Sequence, residues 1–171
     1  MTEINPLFSI PFFKTNVTDW KIKKKQLLKC LVKKTKSKLF NSDRTKAIYK
    51  DAVEDILKND INEFQKCVER KLYITDMWSV SYTKKDFHPP HTHGGSGFSA
   101  ILFLEFDPKV HESTTFIQPW NDEITDKTVL KSPNVQEGDL IVFPANILHF
   151  TNPNKSVKKR TIISWDFKYN K

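Results

Sequence analysis

The sequence contains little glycine, little cysteine and no long hydrophobic run. Only four of its 171 residues are glycine and only two are cysteine. No run approaches the roughly 18 apolar residues of a membrane-spanning helix, and the first ten residues lack the basic segment that opens a signal peptide. We therefore expect a cytoplasmic protein without membrane contacts. Two cysteines in a chain of this length do not indicate a secreted disulfide framework, so Cys30 and Cys67 are expected to be buried free thiols.

Aromatic residues, in contrast, are plentiful. Thirteen Phe and four Trp accompany a hydrophobic content of 38%, which is enough apolar material for the core of one domain. The chain shows no internal repeat, low-complexity segment or linker. The interpretation is a single domain over residues 1–171. Residues 1–71 would supply an N-terminal strand and two supporting helices, and residues 72–171 would form the core.

Hydrophobic periodicity predicts two helices after a short strand. The strand is "LFSIPFF", in which Pro11 favours an edge or irregular position. The first helix begins after a capping Asp19 and places lysines opposite an apolar face. The second helix covers residues 45–70, where apolar residues recur at a spacing of three to four without Gly or Pro. The apolar face of the first helix comprises Trp20, Leu27, Leu28, Leu31 and Val32.

The positive charge is confined to this helical part of the chain. The formal net charge is +8, and residues 14–50 hold thirteen Lys or Arg against two acidic residues. The rest of the chain is therefore acidic on balance. Because the basic residues lie in this segment and not near the histidines, any contact with a polyanion is expected to be peripheral to the chemistry. Trp20 is the one aromatic residue of the lysine-rich helix able to stack on a base.

From Leu72 onward the pattern changes to short β-rich runs. These are "MWSVSY", "FSAILFLEF", "TTFIQ", "DLIVF" and "RTIISWDF", separated by clusters of Pro, Asn, Asp and Lys. The strands do not alternate with helices as they would in a parallel βαβ protein. We therefore predict an α+β fold with an antiparallel sandwich or double-stranded β-helix (jelly roll) of about 100 residues, and with the two helices packed on one sheet.

Three of the five histidines lie in one stretch, "HPPHTHGGSG", at residues 88–97. A residue before proline is pushed toward extended geometry, so the stretch delivers an extended chain to His91. Side chains two apart in an extended chain project to the same side, which brings His91 and His93 together. Two neighbouring imidazoles favour a metal site. Taken alone, such a pair is equally consistent with solvent-exposed or hydrogen-bonded histidines.

A third ligand is expected from "EGDLIVFPANILHF", where His149 follows an apolar strand. The midpoint between His149 and Arg160 falls in the turn-like "NPNKS", so a hairpin there would set the two residues opposite each other. A guanidinium beside a metal ligand indicates that a carboxylate compound is bound. The alternative for Arg160 is a solvated basic turn with Lys158 and Lys159. His111 lies in a loop composition and is expected to be exposed.

These segments together resemble the Fe(II)- and 2-oxoglutarate-dependent oxygenases. The similarity is carried by "PHTH" followed by "FSAILFL", then by "GDLIVFPANILHF" and "RTIISWDF", and it runs from Trp78 to Phe167. Within that superfamily the chain resembles a group of small oxygenases common in marine phages and bacteria, related more distantly to prolyl 4-hydroxylases. The resemblance implies a double-stranded β-helix as the catalytic core at residues 72–171. It also implies a location in the host cytoplasm if a phage encodes the protein.

The resemblance further implies roles for individual residues. His91, His93 and His149 would be the catalytic residues and the metal ligands of Fe(II). Arg160 would bind the distal carboxylate of 2-oxoglutarate. Tyr82, nine residues before His91, matches a tyrosine that the prolyl hydroxylase branch uses toward the co-substrate.

The sequence departs from the wider family at His93, where the usual ligand set has an aspartate. A neutral imidazole in place of a carboxylate leaves the iron site one unit more positive. The small phage-like group shares the H-x-H form, which implies either a three-histidine site or a second histidine that orients without ligating. Asp86 or Glu105 stays open as a carboxylate ligand. His88, where the prolyl hydroxylase branch often has a tyrosine, is expected to line the pocket without binding metal.

The implied function is a non-haem dioxygenase that uses Fe(II), 2-oxoglutarate and O2. It would release succinate and CO2 while it hydroxylates a second substrate, either a small molecule or a peptidyl side chain. Two other classes stay open. One is a three-histidine zinc or iron enzyme that does not use 2-oxoglutarate, and the other is a non-enzymatic phage accessory protein that binds nucleic acid.

Overall fold

A computed structural model describes residues 9–31, 41–43 and 49–169, with only the backbone described for residues 41–43. The described residues form two helices and ten strands, numbered here in chain order. The elements are β1 (Phe13–Asn16), α1 (Trp20–Cys30), β2 (Asn41–Asp43), α2 (Lys50–Val68), β3 (Leu72–Tyr82), β4 (His88–His91), β5 (Phe98–Glu105), β6 (Thr115–Ile117), β7 (Leu130–Lys131), β8 (Asp139–Pro144), β9 (His149–Thr151) and β10 (Arg160–Tyr169).

The strands form two sheets. The larger sheet has the order β1-β8-β5-β10-β3-β2, and the smaller sheet has the order β4-β9-β6-β7. All strand pairings in the described residues are antiparallel. The chain passes from one sheet to the other between β8 and β9 and again between β9 and β10, which is the winding of a double-stranded β-helix. The predicted fold class is confirmed.

Strand β5 shows how the larger sheet serves two cores. Leu102 and Leu104 join the apolar cluster formed with the helices. Ile101 and Phe103 join the cluster between the two sheets. Because successive side chains of a strand point to opposite faces, the uninterrupted apolar run "FSAILFL" belongs to a strand that is buried on both faces. The helices cover one face of the larger sheet, and the other face is left to meet the smaller sheet.

Helix α1 starts where it was predicted, but not by the predicted cap. Asp19 precedes the helix with φ 51°, and its side chain makes no capping hydrogen bond. The nearby Thr18 amide instead donates a hydrogen bond of 3.0 Å to Asp60 of α2. Leu27 is fully buried on the predicted apolar face, whereas Val32 lies outside the described residues. Contacts with α2 therefore fix the start of α1. Such contacts cannot be predicted from the residues next to the helix.

Helix α2 and strand β1 are shorter than predicted. The helix covers Lys50–Val68 instead of residues 45–70, of which residues 45–48 lie outside the described part. It ends where Glu69 adopts a left-handed conformation with φ 51°. Strand β1 begins only at Phe13, so residues 9–12 of the predicted strand are not in a strand, and residues 7–8 lie outside the description. Neither described helix is long and apolar enough to cross a membrane.

The predicted hairpin between His149 and Arg160 is wrong. His149 opens β9 of the smaller sheet and pairs with His91 of β4. Arg160 opens β10 of the larger sheet and pairs with Tyr82 of β3. The connection crosses between the sheets, and within it Asn154 donates a hydrogen bond of 3.0 Å to the carbonyl of Tyr82. The two residues therefore face the space between the sheets from opposite walls.

Two expectations about burial are also wrong. Cys67 is exposed and Cys30 is partly exposed, although both are free thiols. His111 is buried, with 8% of its surface exposed. Its Nε2 donates to the carbonyl of Lys158 and its Nδ1 accepts from the amide of Asp107, each at 3.0 Å. His111 therefore anchors its loop to the β9–β10 connection instead of facing solvent.

The basic segment lies only partly within the described residues. In α1, Lys23 pairs with Asp60 and Lys24 pairs with Glu137, each at 2.7 Å. These two lysines are therefore committed to contacts inside the protein. The exposed lysines of α1 are Lys21, Lys25 and Lys29. A contact between this segment and a polyanion stays a prediction.

Candidate metal centre

Three histidine side chains converge between the two sheets. In His91, His93 and His149, one candidate ligand atom per ring lies within 4.8 Å of the other two. The ring centroids of His91 and His149 are 4.4 Å apart, and the centroid of His93 lies 5.0 and 5.1 Å from them. Within the described ranges this is the one group of three or more His, Cys, Asp or Glu side chains close enough to share a metal ion. The structure therefore brings together the three residues that the sequence singled out.

Hydrogen bonds at Nδ1 fix the tautomer of two of these rings. Nδ1 of His91 donates to the carbonyl of Pro89, and Nδ1 of His149 donates to the carbonyl of Ile147, both at 2.8 Å. A carbonyl oxygen only accepts, so each Nδ1 carries the proton. The neutral rings then have their lone pair at Nε2. Both histidines therefore offer Nε2 as the ligand atom.

The third ring is held in the same way, but by a charged partner. Nδ1 of His93 lies 2.8 Å from Oδ1 of Asp166. Nε2 of His93 is buried and has no hydrogen-bond partner among the described residues. A buried polar atom without a partner is costly, and a metal ion would satisfy it. This orphaned nitrogen, together with the all-imidazole donor set, fits a divalent transition metal such as Fe(II) or Zn(II).

Local sequence explains how two of the ligands come to oppose each other. The two prolines of "HPPH" hold β4 extended, and β4 pairs with β9 so that His91 and His149 are direct partners. His93 follows β4 and is anchored through its amide, which donates to the carbonyl of Ala145 at 2.8 Å. The three rings thus come from two neighbouring strands of the smaller sheet and the turn that follows one of them.

Burial keeps His149 in the form that binds metal. The residue is 3% exposed, and this desolvation lowers its pKa to about 3, with the neighbouring histidines lowering it further and the hydrogen bond to Ile147 opposing the change. A neutral imidazole is required for metal coordination. At neutral pH the ring is therefore ready to bind a cation without first releasing a proton.

A small cavity of about 20 Å³ lies against the three histidines. His88 lines it and stacks on His91, with the ring centroids 3.9 Å apart and the planes at 17°. His88 is not part of the three-histidine group. The apolar wall consists of Trp78, Val80, Ile101 and Ile162. The other polar lining residues are Tyr82, Thr114, Thr151 and Ser164.

Arg160 is a buried cation next to this cavity, not part of a solvated turn. It is 2% exposed, and its guanidinium lies 5.1 Å from the centre of the Tyr82 ring. Its Nη2 donates only a long hydrogen bond of 3.4 Å to Thr114 Oγ1, and its Nε has no partner among the described residues. Glu112, which would raise the pKa of Arg160, is itself paired with Lys155 at 2.7 Å. Burial lowers the pKa of Arg160, an effect that Tyr82 and Glu112 oppose, and none of the ion pairs in the described part of the chain includes Arg160.

The two carboxylates left open as ligands are engaged elsewhere. Asp86 accepts hydrogen bonds from the amide and the hydroxyl of Thr83 at 2.7 and 2.8 Å. Glu105 pairs with Lys159 at 2.9 Å. Neither belongs to the three-histidine group. Neither position therefore supplies the carboxylate ligand that the H-x-H motif lacks.

Sequence reasoning missed Asp166, the residue behind His93. Its carboxylate also accepts a hydrogen bond of 2.7 Å from the hydroxyl of Ser99. Side chains two apart on a strand share a face, and Asp166 lies six residues after Arg160 on β10, with Ser164 of the cavity wall between them. This even spacing was the available signal, because it places Asp166 on the face that carries Arg160.

Solved structures with this architecture include prolyl hydroxylases and an α-ketoglutarate-dependent epimerase. A viral collagen prolyl hydroxylase from Paramecium bursaria Chlorella virus-1, solved with 2-oxoglutarate, has a TM-score of 0.67 at 15% identity over 94% of this chain and 96% of its own. A Pseudomonas putida prolyl-4-hydroxylase has a TM-score of 0.61 at 13% identity over 94% and 93%. The α-ketoglutarate-dependent epimerase SnoN from nogalamycin biosynthesis has a TM-score of 0.70 at 10% identity over 92% and 77%. The fold is that of the non-haem 2-oxoglutarate oxygenases.

A family model matches most of the β-rich part of the chain. It is described as "Putative 2OG-Fe(II) oxygenase" and matches residues 76–166, which is more than half of the sequence. The chain belongs to this family of 2OG-Fe(II) oxygenases. Fe(II), 2-oxoglutarate and O2 are accordingly its cofactor and co-substrates. No curated protein matches the chain significantly.

Proposed function

We propose that the protein is a dioxygenase that hydroxylates a second substrate, with His91, His93 and His149 as the iron ligands. Arg160 and Tyr82 would bind the distal end of 2-oxoglutarate. The observation that carries the proposal is the convergence of three imidazoles, each tied to an oxygen through Nδ1. Rings held in this way cannot turn away from the centre without breaking a hydrogen bond.

The metal would supply the redox chemistry, coupling the decarboxylation of 2-oxoglutarate to succinate and CO2 with oxidation of the second substrate. Three protein ligands leave further coordination positions for small molecules. The histidines contribute fixed placement, because their Nδ1 bonds remove most rotational freedom before the metal arrives. His149 also contributes a ring that is already neutral.

Arg160 supplies the charge that a dicarboxylate needs. A buried guanidinium without a full set of partners favours an anion that forms charge-assisted, bidentate hydrogen bonds. Tyr82 and Thr114 line the same cavity as the histidines and contact Arg160. An extended dicarboxylate with one end at the histidines and the other end at Arg160 would satisfy both sites.

The apolar wall of the cavity would keep water from the reacting centre. Trp78 and Ile101 are 6% and 4% exposed, and both line the cavity. Trp78 also lies against His93, with their ring centroids 5.2 Å apart. An apolar surround strengthens electrostatic contacts to a bound anion and protects reactive species from solvent.

The proposal specifies only the chemical class of the second substrate. Two structural neighbours are prolyl hydroxylases and another is an epimerase, so the fold supports more than one outcome. We favour hydroxylation of a small molecule or a peptidyl side chain. A cytoplasmic location and a phage origin remain predictions of the same proposal.

The first test is an anaerobic titration. Fe(II) and then 2-oxoglutarate are added to metal-free protein, and the visible metal-to-ligand charge-transfer band of the chelate is recorded. The proposal expects the band in the wild type, its loss in His149→Ala, and a much higher 2-oxoglutarate requirement in Arg160→Ala. Absence of the band, together with zinc found in the protein before its metal was removed, would favour the three-histidine zinc enzyme. Absence of any metal binding would refute the site.

The second test addresses the reaction. On exposure to O2, the loaded wild type should convert 2-oxoglutarate to succinate, and the His91→Ala variant should not. Hydroxylation is then sought as a mass gain of one oxygen atom in candidate peptides and metabolites, with succinate formation stimulated by the true substrate. Stimulated turnover without oxygen incorporation would indicate an outcome of the epimerase kind and would contradict hydroxylation.

A further inference from the structure

His93 differs from the other two histidines in the group that holds its Nδ1. His91 and His149 donate to neutral backbone carbonyls, whereas His93 faces the carboxylate of Asp166 at 2.8 Å. His93 also stands at the position where the resembled family has a carboxylate ligand. Among the described residues, the single carboxylate contact in the cluster therefore occurs at the ligand position that has lost its charge.

The contact between His93 and Asp166 is largely buried and is supported by a second hydrogen bond. The side chains of His93 and Asp166 are 7% and 13% exposed. The hydroxyl of Ser99 donates to the same Asp166 oxygen at 2.7 Å, so the carboxylate is held from two sides. Asp166 reaches the site from β10 of the larger sheet, and Ser99 reaches it from β5 of the same sheet.

The chemistry of such a pair is known in general terms. A carboxylate that accepts from the outer nitrogen of a ligating imidazole orients the ring and makes its inner nitrogen a stronger donor to the metal. It also places one negative charge one ring away from the metal. A three-histidine site with this partner has the same total charge as a site with two histidines and one carboxylate.

We propose that Asp166 is a positioning residue that acts through His93 and supplies the negative charge that the iron site lacks when histidine replaces the carboxylate ligand. This inference rests on the proposed function, because it takes His93 as a metal ligand. It predicts that the charge of Asp166 matters to the metal, and not only its hydrogen bond or its packing.

The test compares metal affinity in Asp166→Asn with that in the wild type. Asparagine keeps the size and one acceptor oxygen but removes the charge. Affinity is measured by anaerobic competition between Fe(II) and a chelator, and by Co(II) absorption. We expect a loss of about 10- to 100-fold and a shifted Co(II) spectrum. Asp60→Asn is the matched control, because Asp60 is also a buried carboxylate, 4% exposed, but pairs with Lys23 in the helical layer; it should leave metal affinity unchanged.

A second background separates charge from structure. In His93→Asp the ligand carries its own charge, so adding Asp166→Asn should cost no affinity and should relieve repulsion between two carboxylates. An Asp166 that acts only by packing would cost the same affinity in both backgrounds. Equal losses would overturn the inference, as would an unchanged affinity in Asp166→Asn alone.

Where Asp166→Asn does not fold, Ser99→Ala takes its place. This variant leaves the carboxylate but removes the hydroxyl that shares its oxygen, so the inference expects tighter metal binding, and equal or weaker binding overturns it. The proposed function fails separately. Wild-type protein that binds Co(II) but gives no charge-transfer band with Fe(II) and 2-oxoglutarate refutes that function, while the comparison of Asp166 variants still decides the inference.

Discussion

The buried histidine His149 links the metal centre to the stability of the fold. Its pKa in the folded protein is lowered to about 3 by burial, whereas an unfolded histidine titrates near 6.5. Between these values the unfolded chain binds a proton that the folded chain does not bind. The contribution of His149 to folding is therefore fully present above pH 6.5 and is lost as the pH falls toward 3.

This leads to a pH prediction for the metal-free protein. The free energy of unfolding should fall below pH 6.5, with His149 contributing up to about 1.4 kcal/mol per pH unit. In His149→Phe, which keeps an aromatic ring beside Phe116 and Phe143, the decline should be shallower. Urea unfolding at pH 7, 6 and 5 measures both slopes. Parallel curves for the two proteins would contradict the assignment.

Arg160 carries a cost in the absence of its anion. A buried charge without full partners is destabilising, and an apolar replacement of similar volume is often neutral or stabilising. Arg160→Met should therefore raise the stability of the metal-free protein by about 1–2 kcal/mol while it abolishes 2-oxoglutarate binding. Thermal unfolding and the charge-transfer titration test the two halves of this prediction.

An exposed arginine provides the control for Arg160. Arg70 is exposed and lies over the ring of Tyr169, so Arg70→Met should change stability by less than about 0.5 kcal/mol and leave 2-oxoglutarate binding intact. If Arg160→Met destabilised the protein strongly, the guanidinium would be a structural group, and the proposed role in binding would lose its support.

Among the elements, the turn before β5 depends on one glycine. Gly97 has φ +92°, and a Cβ at this position would lie 2.1 Å from the backbone oxygen of Phe167. Its carbonyl accepts a hydrogen bond from Ala145 at 3.0 Å, and the Ala145 carbonyl in turn holds the amide of His93. The glycine therefore sets both the start of β5 and the placement of a ligand.

Gly97→Ala should be among the most damaging small substitutions in the chain. The strained backbone and the clash with a fixed carbonyl should lower the free energy of unfolding by about 2–4 kcal/mol and weaken metal binding. Gly95→Ala is the matched control, since no atom lies within 4 Å of its added Cβ; it should be neutral or slightly stabilising. Equal free energies of unfolding for the two variants in denaturant titrations would contradict the role assigned to Gly97.

The same elements show what a sequence can predict and what it cannot. Helix α2 follows from its apolar spacing of three to four residues, and strands β5 and β10 follow from their continuous apolar runs. The pairing of His149 was predicted wrongly, since a turn-like "NPNKS" between two apolar runs does not reveal that the chain changes sheets there. Asp166 was missed for a related reason: its partner His93 is distant in sequence and lies in the turn after β4, so no local pattern joins the two residues.

For the whole molecule, ligand binding should add stability in a fixed order. The metal ligands come from the smaller sheet and the turn after β4, so a bound ion joins segments that separate on unfolding. Any ligand bound only by the folded state stabilises it by about 2.7 kcal/mol at a concentration of 100 times Kd. Zn(II) or Fe(II) should therefore raise Tm on its own, and 2-oxoglutarate should raise it further only after the metal.

Thermal scans under anaerobic conditions test this order. His149→Phe should lose both shifts, and Arg160→Met should keep the metal shift while it loses the second one. A shift with 2-oxoglutarate in the absence of metal would indicate that Arg160 binds the dicarboxylate without the histidines, which would contradict the joint site proposed here.

The two walls of the sandwich hold different halves of the proposed site. His91 and His149 stand on the smaller sheet, and Arg160 stands on the larger one. If the proposed function holds, a dicarboxylate bound by both residue sets bridges the two sheets. Turnover removes one carbon as CO2 and leaves a shorter molecule that no longer spans the same gap. Each reaction cycle would then remove the bridge between the sheets, because the shorter product cannot contact both at once. Product release would therefore follow directly from the shortening of the co-substrate.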